Sequence, residues 1–312
     1  MDVNDVHRDF QGALQVVFDL LWTLIKVNYL TVVGMWRTIM PPDPKDVRDE
    51  IVLITGTGHG IGREMALRFA RLGATLVCVD INASTNEDTV RMIKQEKNKA
   101  FSYQCDVTDR AAVMQMAEKI RREVGEVSIL VNNAGIMPCK PFLNQTEKEI
   151  RLMNDINVNA NLWMIQAFLP SMMERNHGHI VAMSSMAGLM GLRNLVPYCG
   201  SKYAVRGIME ALAIELKEDP REFSGIKFTT ICPYMVDTGL CKKPRIRFPS
   251  LMKVVSAGET ADLIVDAVRR EILEITVPHE LHFMNRYVYR VLPFPAAVAW
   301  NEFFNTGVDS HE

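Results

Sequence analysis

Tyr198 and Lys202, in the stretch Pro197-Tyr-Cys-Gly-Ser-Lys202, stand four residues apart where the hydrophobic pattern reads as the start of a helix. Spacing i, i+4 puts both side chains on one helical face, about 5 to 6 Å apart at their Cβ atoms. A tyrosine pKa of ~10 is too high for a general base at neutral pH, so it must fall by ~3 units, or ~4 kcal/mol. One ammonium ~4 Å away at an effective dielectric of ~20 supplies about that much. Tyr198 could then take a proton from an alcohol, or return one to a carbonyl oxygen, while Lys202 holds its pKa down. Upstream, Ser184 and Ser185 end a β-rich run, and either hydroxyl could hydrogen-bond a substrate oxygen. Cys199, beside the tyrosine, reads as a packing residue because no histidine lies near it in sequence. His177 and His179 in "RNHGHI" read as a turn entering a strand, and no G-x-S-x-G elbow suggests a hydrolase.

A second chemical signal lies at Thr55-Gly-Thr-Gly-His-Gly-Ile-Gly62, between a strand pattern and a helix pattern. Glycines there allow a tight turn and close backbone approach to a pyrophosphate, whose charge a helix N-terminus stabilises. Asp80 ends the next strand, where an acid can bind a ribose 2′-hydroxyl. Its carboxylate would repel a 2′-phosphate, and Ile81-Asn82 offers no arginine to attract one, so NAD is expected ahead of NADP. His59 is the basic group of this loop and could sit near a phosphate.

These groups need a scaffold, and from Glu50 the chain alternates short β-rich runs with helical stretches. Strands are expected over 51–55, 75–80, 101–105, 128–132, 179–184, 226–232 and 273–278, with helices starting near Gly60, Ser84, Asp109, Thr146, Tyr198 and Gly258. Several of the strands are near-continuous Val/Ile/Leu runs, the pattern of a parallel sheet covered on both faces. The expected fold class is α/β, a Rossmann-like doubly wound parallel sheet of about seven strands with helices on both faces and an N-terminal hydrophobic helical segment. The chain has 312 residues, with 35 Lys plus Arg against 37 Asp plus Glu, so no basic field argues for nucleic acid. Six cysteines without a CxxC pair or a His/Cys cluster give no expectation of a metal site.

The sequence resembles the short-chain dehydrogenases/reductases. Thr55-Gly56-x-x-x-Gly60-x-Gly62 matches that family's cofactor motif, and Asn132-Asn-Ala-Gly135 its motif after the fourth strand. Tyr198-x-x-x-Lys202 matches the catalytic pair, with Ser185 thirteen residues before the tyrosine; Asn157 in "NDINVNA" matches the fourth catalytic position. The match covers about Glu50 to Leu240. It implies Asn157, Ser185, Tyr198 and Lys202 as the catalytic set, with Asn157 holding a water that connects Lys202 to solvent. Its spacing selects Ser185 over Ser184. The implied cofactor contacts are Thr55, Gly56, His59, Gly60, Ile61, Gly62, Asp80, the adenine-side pair Asp106 and Val107, Asn133, Ala134, Gly135, Tyr198, Lys202, Pro233, Val236 and Thr238. Pro233-Tyr234 departs from a commoner Pro-Gly and alters the expected turn beside the nicotinamide. "TGTGHGIGR", "CPYMVDTG", "RFPSL" and the N-terminal segment resemble the branch holding epidermal retinol dehydrogenases and 17-beta-hydroxysteroid dehydrogenases of types 11 and 13. That branch implies an endoplasmic reticulum membrane or lipid-droplet location, with the catalytic domain in the cytosol, and the family implies a homodimer or larger pairing.

Residues 1–42 are expected to associate with a membrane, 43–286 to form the NAD-binding domain, and 287–312 to be an apolar, aromatic tail. From Phe10 to Trp36 the chain is mostly apolar, and Gln11, Gln15, Asp19, Thr23 and Lys26 draw a narrow polar stripe on a helix of ~40 Å. Such a helix could span a bilayer or lie in its interface. Two segments should wall the substrate site: "MAGLMGLRNLV" from Met186, with Leu189, Met190, Leu192, Leu195 and Val196, and the stretch from Tyr234 to Ala257. The first favours an alcohol or carbonyl on a hydrophobic body. The second interleaves Lys242, Lys243, Arg245, Arg247 and Lys253 with Phe248, Leu251 and Met252, and reads as a membrane-facing lid or a solvated loop. The tail either covers the pocket or touches the membrane. The function expected is a dehydrogenase of lipophilic alcohols, retinol ahead of a 17-beta-hydroxysteroid; the alternative from another class is a lipid-droplet or membrane coat protein with little turnover.

Overall fold

The structure, a computed structural model of the chain, describes residues 3–240, 244–248, 253–281, 291–305 and 307–310. It divides into two compact units, Met1–Asp43 and Pro44–Glu312. The first contains one helix, α1 (Val3–Ile39). Its stretch Leu14–Arg37, 24 residues, is long and apolar enough to cross a membrane by length and composition; at 1.5 Å per residue it measures ~36 Å. Large apolar side chains from Leu14 to Trp36 are exposed. Of the polar stripe, Gln15 donates to the Asp19 carboxylate at 3.1 Å, and farther along the helix Asn28 and Thr31 donate back to the carbonyls of Leu24 and Val27. These local bonds lower the cost of placing polar groups in an apolar setting.

In the second unit the strands β1 (Ile51–Thr55), β2 (Thr75–Asp80), β3 (Ala100–Gln104), β4 (Ile129–Asn132), β5 (Gly178–Met183), β6 (Ile226–Pro233), β7 (Val236–Asp237), β8 (Pro244–Arg245), β9 (Val255–Ser256), β10 (Glu274–Val277) and β11 (Gly307–Val308) follow in chain order. Seven of them form one parallel sheet in the order β10-β6-β5-β4-β1-β2-β3. The expected strands all occur, each within a residue of its expected ends. Helices α2 (Gly60–Arg71), α3 (Ala83–Gln95), α4 (Arg110–Glu123), α5 (Glu147–Asn154), α6 (Ala160–Arg175), α7 (Val196–Glu218), α8 (Ala257–Arg269) and α9 (Phe294–Phe304) complete the elements used below.

Strand alternation distributes the core between two layers. Val52 and Ile54 of β1 join a cluster with Met65, Phe69, Ile93 and Ile264 from α2, α3 and α8, while Leu53 between them joins Val113, Ile120, Met164, Phe168 and Met209 from α4, α6 and α7. Both sheet faces are thereby covered, as the Val/Ile/Leu runs require. Helix starts follow side-chain caps: Asn82 accepts from Thr85 N, Asp109 from Ala111 N and Ala112 N, and Thr146 forms a capping box with Glu149. The single helix expected from Thr146 is interrupted by a π turn, Asp155–Asn159, before α6 continues it.

α7 is fastened to the sheet edge by Arg206, whose guanidinium contacts the Glu274 carboxylate at 2.8 Å with both side chains largely buried. Arg206 also donates to Gly188 O at 3.3 Å. Removing the cation would strand a carboxylate in a poorly solvated place. Arg206→Met is expected to lose about 3 kcal/mol of stability by urea denaturation, more than the double substitution Arg206→Met with Glu274→Leu loses; equal losses would show that the pair is no more than packing.

Candidate active site

The order of strands reverses between β1 and β4, which opens a crevice at their C-terminal ends. The glycine loop enters it directly from β1. Gly56 has φ +74° and Gly60 φ +58°, values that favour glycine. A Cβ on Gly62 would meet Gly56 O at 2.1 Å, so helix α2 can start against the loop only without a side chain there. His59 is the N-cap residue of α2, is exposed and makes no side-chain cap, which leaves the first amides of the helix directed at the crevice. This is a cradle suited to a pyrophosphate.

Asp80 serves the loop as well as the crevice: one carboxylate oxygen accepts from Gly58 N at 2.8 Å, the other from Asn82 N at 2.9 Å. The strand-end cap and a ribose contact are therefore compatible, since each oxygen keeps a further lone pair. Arg63, which the sequence reading did not single out, donates to Gly58 O, to Thr89 Oγ1 at 3.0 Å and to Thr85 O at 3.4 Å. It braces the loop from behind. Thr55 lies beneath the cradle, its Oγ1 accepting from the amides of Asn133 and Ala134, both at 3.0 Å, while Asn133 Nδ2 donates to Thr55 O at 2.8 Å. The ends of β1 and β4 are thus held together by one threonine and one asparagine.

On the other side of the crevice Pro197 lies in the first turn of α7 and Tyr198 follows it into the site. Lys202 Nζ stands 5.7 Å from the Tyr198 ring centroid and donates to Met183 O, at the end of β5, at 2.8 Å. Lys202 is only 5% exposed, and burial pushes its ammonium down to about 8. The lysine thus holds a charge that its surroundings disfavour, with Met183 O as its hydrogen-bond acceptor.

The two serines divide their work. Ser184 donates to Lys202 O at 2.9 Å and ties β5 to α7, while Ser185 accepts from Ala187 N at 3.1 Å and has only a long 3.4 Å contact to Pro233 O. Asn157, fully buried in the π turn, accepts from Ile136 N at 2.9 Å and donates to Ile136 O at 3.0 Å and to Ser201 Oγ at 3.1 Å. Ser201 in turn donates to Tyr198 O at 2.8 Å. The side chain of Asn157 thus joins the loop after β4 to α7. Its backbone carbonyl accepts from Asn161 Nδ2 at 2.8 Å. Cys199 accepts from Leu192 N at 3.4 Å and burial raises its thiol, which fits a packing residue.

A family model described as short chain dehydrogenase matches residues 50–246. The chain belongs to the short-chain dehydrogenases. Epidermal retinol dehydrogenase 2 of Homo sapiens is 40% identical over 252 residues, covering 80% of this chain and 81% of that protein. Short-chain dehydrogenase/reductase family 16C member 6 of Bos taurus is 39% identical over 270 residues, with 86% and 85% covered, and 17-beta-hydroxysteroid dehydrogenase 13 of Homo sapiens is 34% identical over 292 residues, with 94% and 95% covered. Among solved structures, a short chain dehydrogenase/reductase from Burkholderia phymatum in complex with NAD has a TM-score of 0.70 at 24% identity, covering 78% of this chain and 94% of that one. That likeness establishes a shared fold.

The crevice of the dehydrogenase is a cavity of about 360 Å³. Gly56, His59, Gly60, Ile61, Gly62, Asp80, Asp106, Val107, Asn133, Ala134, Gly135, Ser185, Tyr198, Lys202, Pro233, Val236 and Thr238 all line it. Thr55 and Asn157 do not; they fix the walls from behind. Of the first expected apolar wall, Met186, Leu192 and Leu195 line the cavity, whereas Leu189 packs with Met186 and Cys232, Met190 lies against them, and Val196 is 52% exposed. Tyr234, which replaces the commoner glycine, lines the cavity beside Met235, and its amide donates to Val277 O at 2.8 Å.

Where it is described, the basic segment bonds to the tail and to α8 while its basic side chains stay partly or largely exposed. Arg247 donates to Phe303 O at 2.9 Å and lies over the rings of Phe248 and Phe303, Arg245 pairs with Asp309 at 3.3 Å, and Lys253 with Glu259 at 3.4 Å. Lys242, Lys243, Leu251 and Met252 lie outside the described residues. The wall residues Ile136, Met137 and Val308 were not found from sequence. The first two follow the Asn-Ala-Gly motif closely enough to be found by proximity, while Val308 gave no local signal.

Two outcomes follow for the dehydrogenase. Gly62→Ala is expected to weaken cofactor binding at least about tenfold, because the displaced loop loses its close approach; unchanged affinity by calorimetry would contradict the cradle. For Lys202, a base whose folded pKa lies below its unfolded value, burial costs stability below about 8, and that cost lifts as pH rises from about 8 to 10.5. Wild type is therefore expected to gain up to ~3 kcal/mol relative to Lys202→Met over that interval. Parallel stability profiles at pH 7 and pH 10 would show that no buried charge is present.

Proposed function

We propose that this dehydrogenase oxidises a lipophilic alcohol, retinol-like ahead of a 17-beta-hydroxysteroid, passing hydride to NAD at a membrane surface. The observation that carries the reading is a single cavity lined at one end by the glycine loop and elsewhere by Tyr198, Ser185 and the apolar residues Met186, Leu192, Leu195 and Met235. Bound NAD would supply the hydride acceptor. Asp80, Asp106 and Val107 would receive its adenosine, the amides of Gly60 to Gly62 its pyrophosphate, and Pro233, Val236 and Thr238 its nicotinamide side. Asp80 favours NAD over NADP by repelling a 2′-phosphate, and Arg63 beside it is engaged with the loop.

Tyr198 takes the alcohol proton as the carbon gives up hydride, leaving a carbonyl. Ser185 orients the substrate oxygen and stabilises its developing charge. The Lys202 ammonium stabilises the tyrosinate, and Asn157 would hold a water that connects the lysine to solvent for proton relay. Identity is higher with a retinol dehydrogenase than with a hydroxysteroid dehydrogenase, which orders the two substrates. The hydroxysteroid relative is matched over more of the chain, which keeps the steroid as the second reading. The complete set Asn157, Ser185, Tyr198 and Lys202 disfavours a coat protein without turnover.

Association with the endoplasmic reticulum membrane or a lipid droplet through α1, a cytosolic catalytic domain and a homodimer complete the reading. With retinol or estradiol, NAD reduction is expected from wild type and a loss of about 10²-fold or more in kcat from Tyr198→Phe. Equal rates in the variant would overturn the mechanism; no turnover of either alcohol would favour the coat protein. Deleting residues 1–42 is expected to move the protein from the membrane fraction to the soluble one, and retention would remove α1 as the anchor.

A further inference from the structure

We infer that the C-terminal strand β11 sets how large an apolar body the dehydrogenase accepts, with Val308 as a specificity-determining residue; this rests on the proposed oxidation of lipophilic alcohols. Val308 is 4% exposed, lines the same cavity as Tyr198, and belongs to one apolar cluster with Tyr198, Leu195 and Met235. Its backbone is held from several sides. Val308 O accepts from Asn194 Nδ2 at 3.2 Å and from Cys139 Sγ at 3.7 Å, which bring in the loops before α7 and after β4. β11 pairs antiparallel with β8, Val308 opposite Pro244 and Gly307 opposite Arg245, and Arg245 adds its ion pair with Asp309.

A backbone fixed in this way cannot retreat when the side chain grows, so side-chain volume converts into lost cavity volume. Val308 also lies well beyond residue 246, where the family match ends. The tail can therefore alter the substrate end while the cofactor cradle and the Tyr198-Lys202 pair stay unchanged. The cluster around Val308 holds Leu195, Tyr198 and Met235, with Leu192 packed against it, so a larger side chain at 308 competes with the bulk of an apolar substrate.

The test is a series of primary alcohols with a common allylic end and growing apolar bodies, from a five-carbon alcohol through geraniol to retinol. Wild type, Val308→Phe and Val308→Ala are compared by NAD reduction, by NAD affinity, and by a retinol fluorescence titration that needs no turnover. Val308→Phe is expected to raise KM for retinol about tenfold or more relative to the smallest alcohol, with NAD affinity unchanged; Val308→Ala narrows the same ratio. KM ratios within about two-fold of wild type in both variants would overturn the inference, as would equal loss of NAD affinity and activity toward every alcohol. If Val308→Phe does not fold, Val308→Ala decides on the same ratio. Should wild type oxidise none of the alcohols, the proposed function fails, and the titration decides alone: weaker retinol binding in the folded variant with the larger side chain, or altered binding in Val308→Ala, upholds the role of Val308, while equal affinity or no binding to wild type overturns it.

Discussion

A buried ammonium is the constraint from which the active half of this molecule is built. In the proposed mechanism Lys202 serves Tyr198 only while charged, and its surroundings work against that charge by pushing its pKa down to about 8. The strand end must therefore deliver a carbonyl, Met183 O, to the ammonium. The helix must not drift, and Ser184 and Arg206 tie it to β5 and to the edge of the sheet. Each restraint acts on α7 at a different turn, so the i, i+4 pair is presented as a rigid unit.

The cofactor half follows a different logic, that of making room. Gly62 is required where a Cβ would collide with the backbone of Gly56, and polar side chains at and behind the crevice wall hold the loop in place. Asp80, Arg63, Thr55 and Asn133 all bond to backbone of the loop or of its neighbours. The result is an open concavity with stiff edges. Asn157 and Ser201 then link the loop after β4 to the backbone of Tyr198, so the two halves share one continuous set of hydrogen bonds.

Much of this was legible in the sequence because the signals are local. Near-continuous apolar runs marked the strands, Ser84, Asp109 and Thr146 marked helix starts, and the shared helical face of the tyrosine and lysine needed only their spacing. What was not legible depends on partners distant along the chain. Asn157 could be assigned by motif, but the π turn that turns it inward has no composition of its own, and its bonds to Ile136 and Ser201 could not be read from the sequence. Arg63 gave no sign of its role because its acceptors are backbone oxygens and a threonine on another helix. Val308 reaches the cavity only because β11 pairs with β8, and no pattern in the tail encodes that pairing. That Phe303 and Asp309 come to meet the basic stretch near Arg247 was not legible either, because they lie more than fifty residues farther along the chain.

The way the chain enters the sheet also bears on force. Lys45 exchanges backbone and side-chain bonds with Arg269, its amide donating to Arg269 O at 2.7 Å and its carbonyl accepting from Arg269 Nε at 3.0 Å, and Val47 beyond it is buried. These fastenings lie at the N-terminal ends of the parallel strands, whereas Thr55, Asp80, Ser184 and Pro233 lie at their C-terminal ends. A pull arriving through residue 43 is therefore taken up by a backbone clasp on the far edge of the sheet. The strand tips that line the crevice lie at the opposite ends of the strands from that clasp.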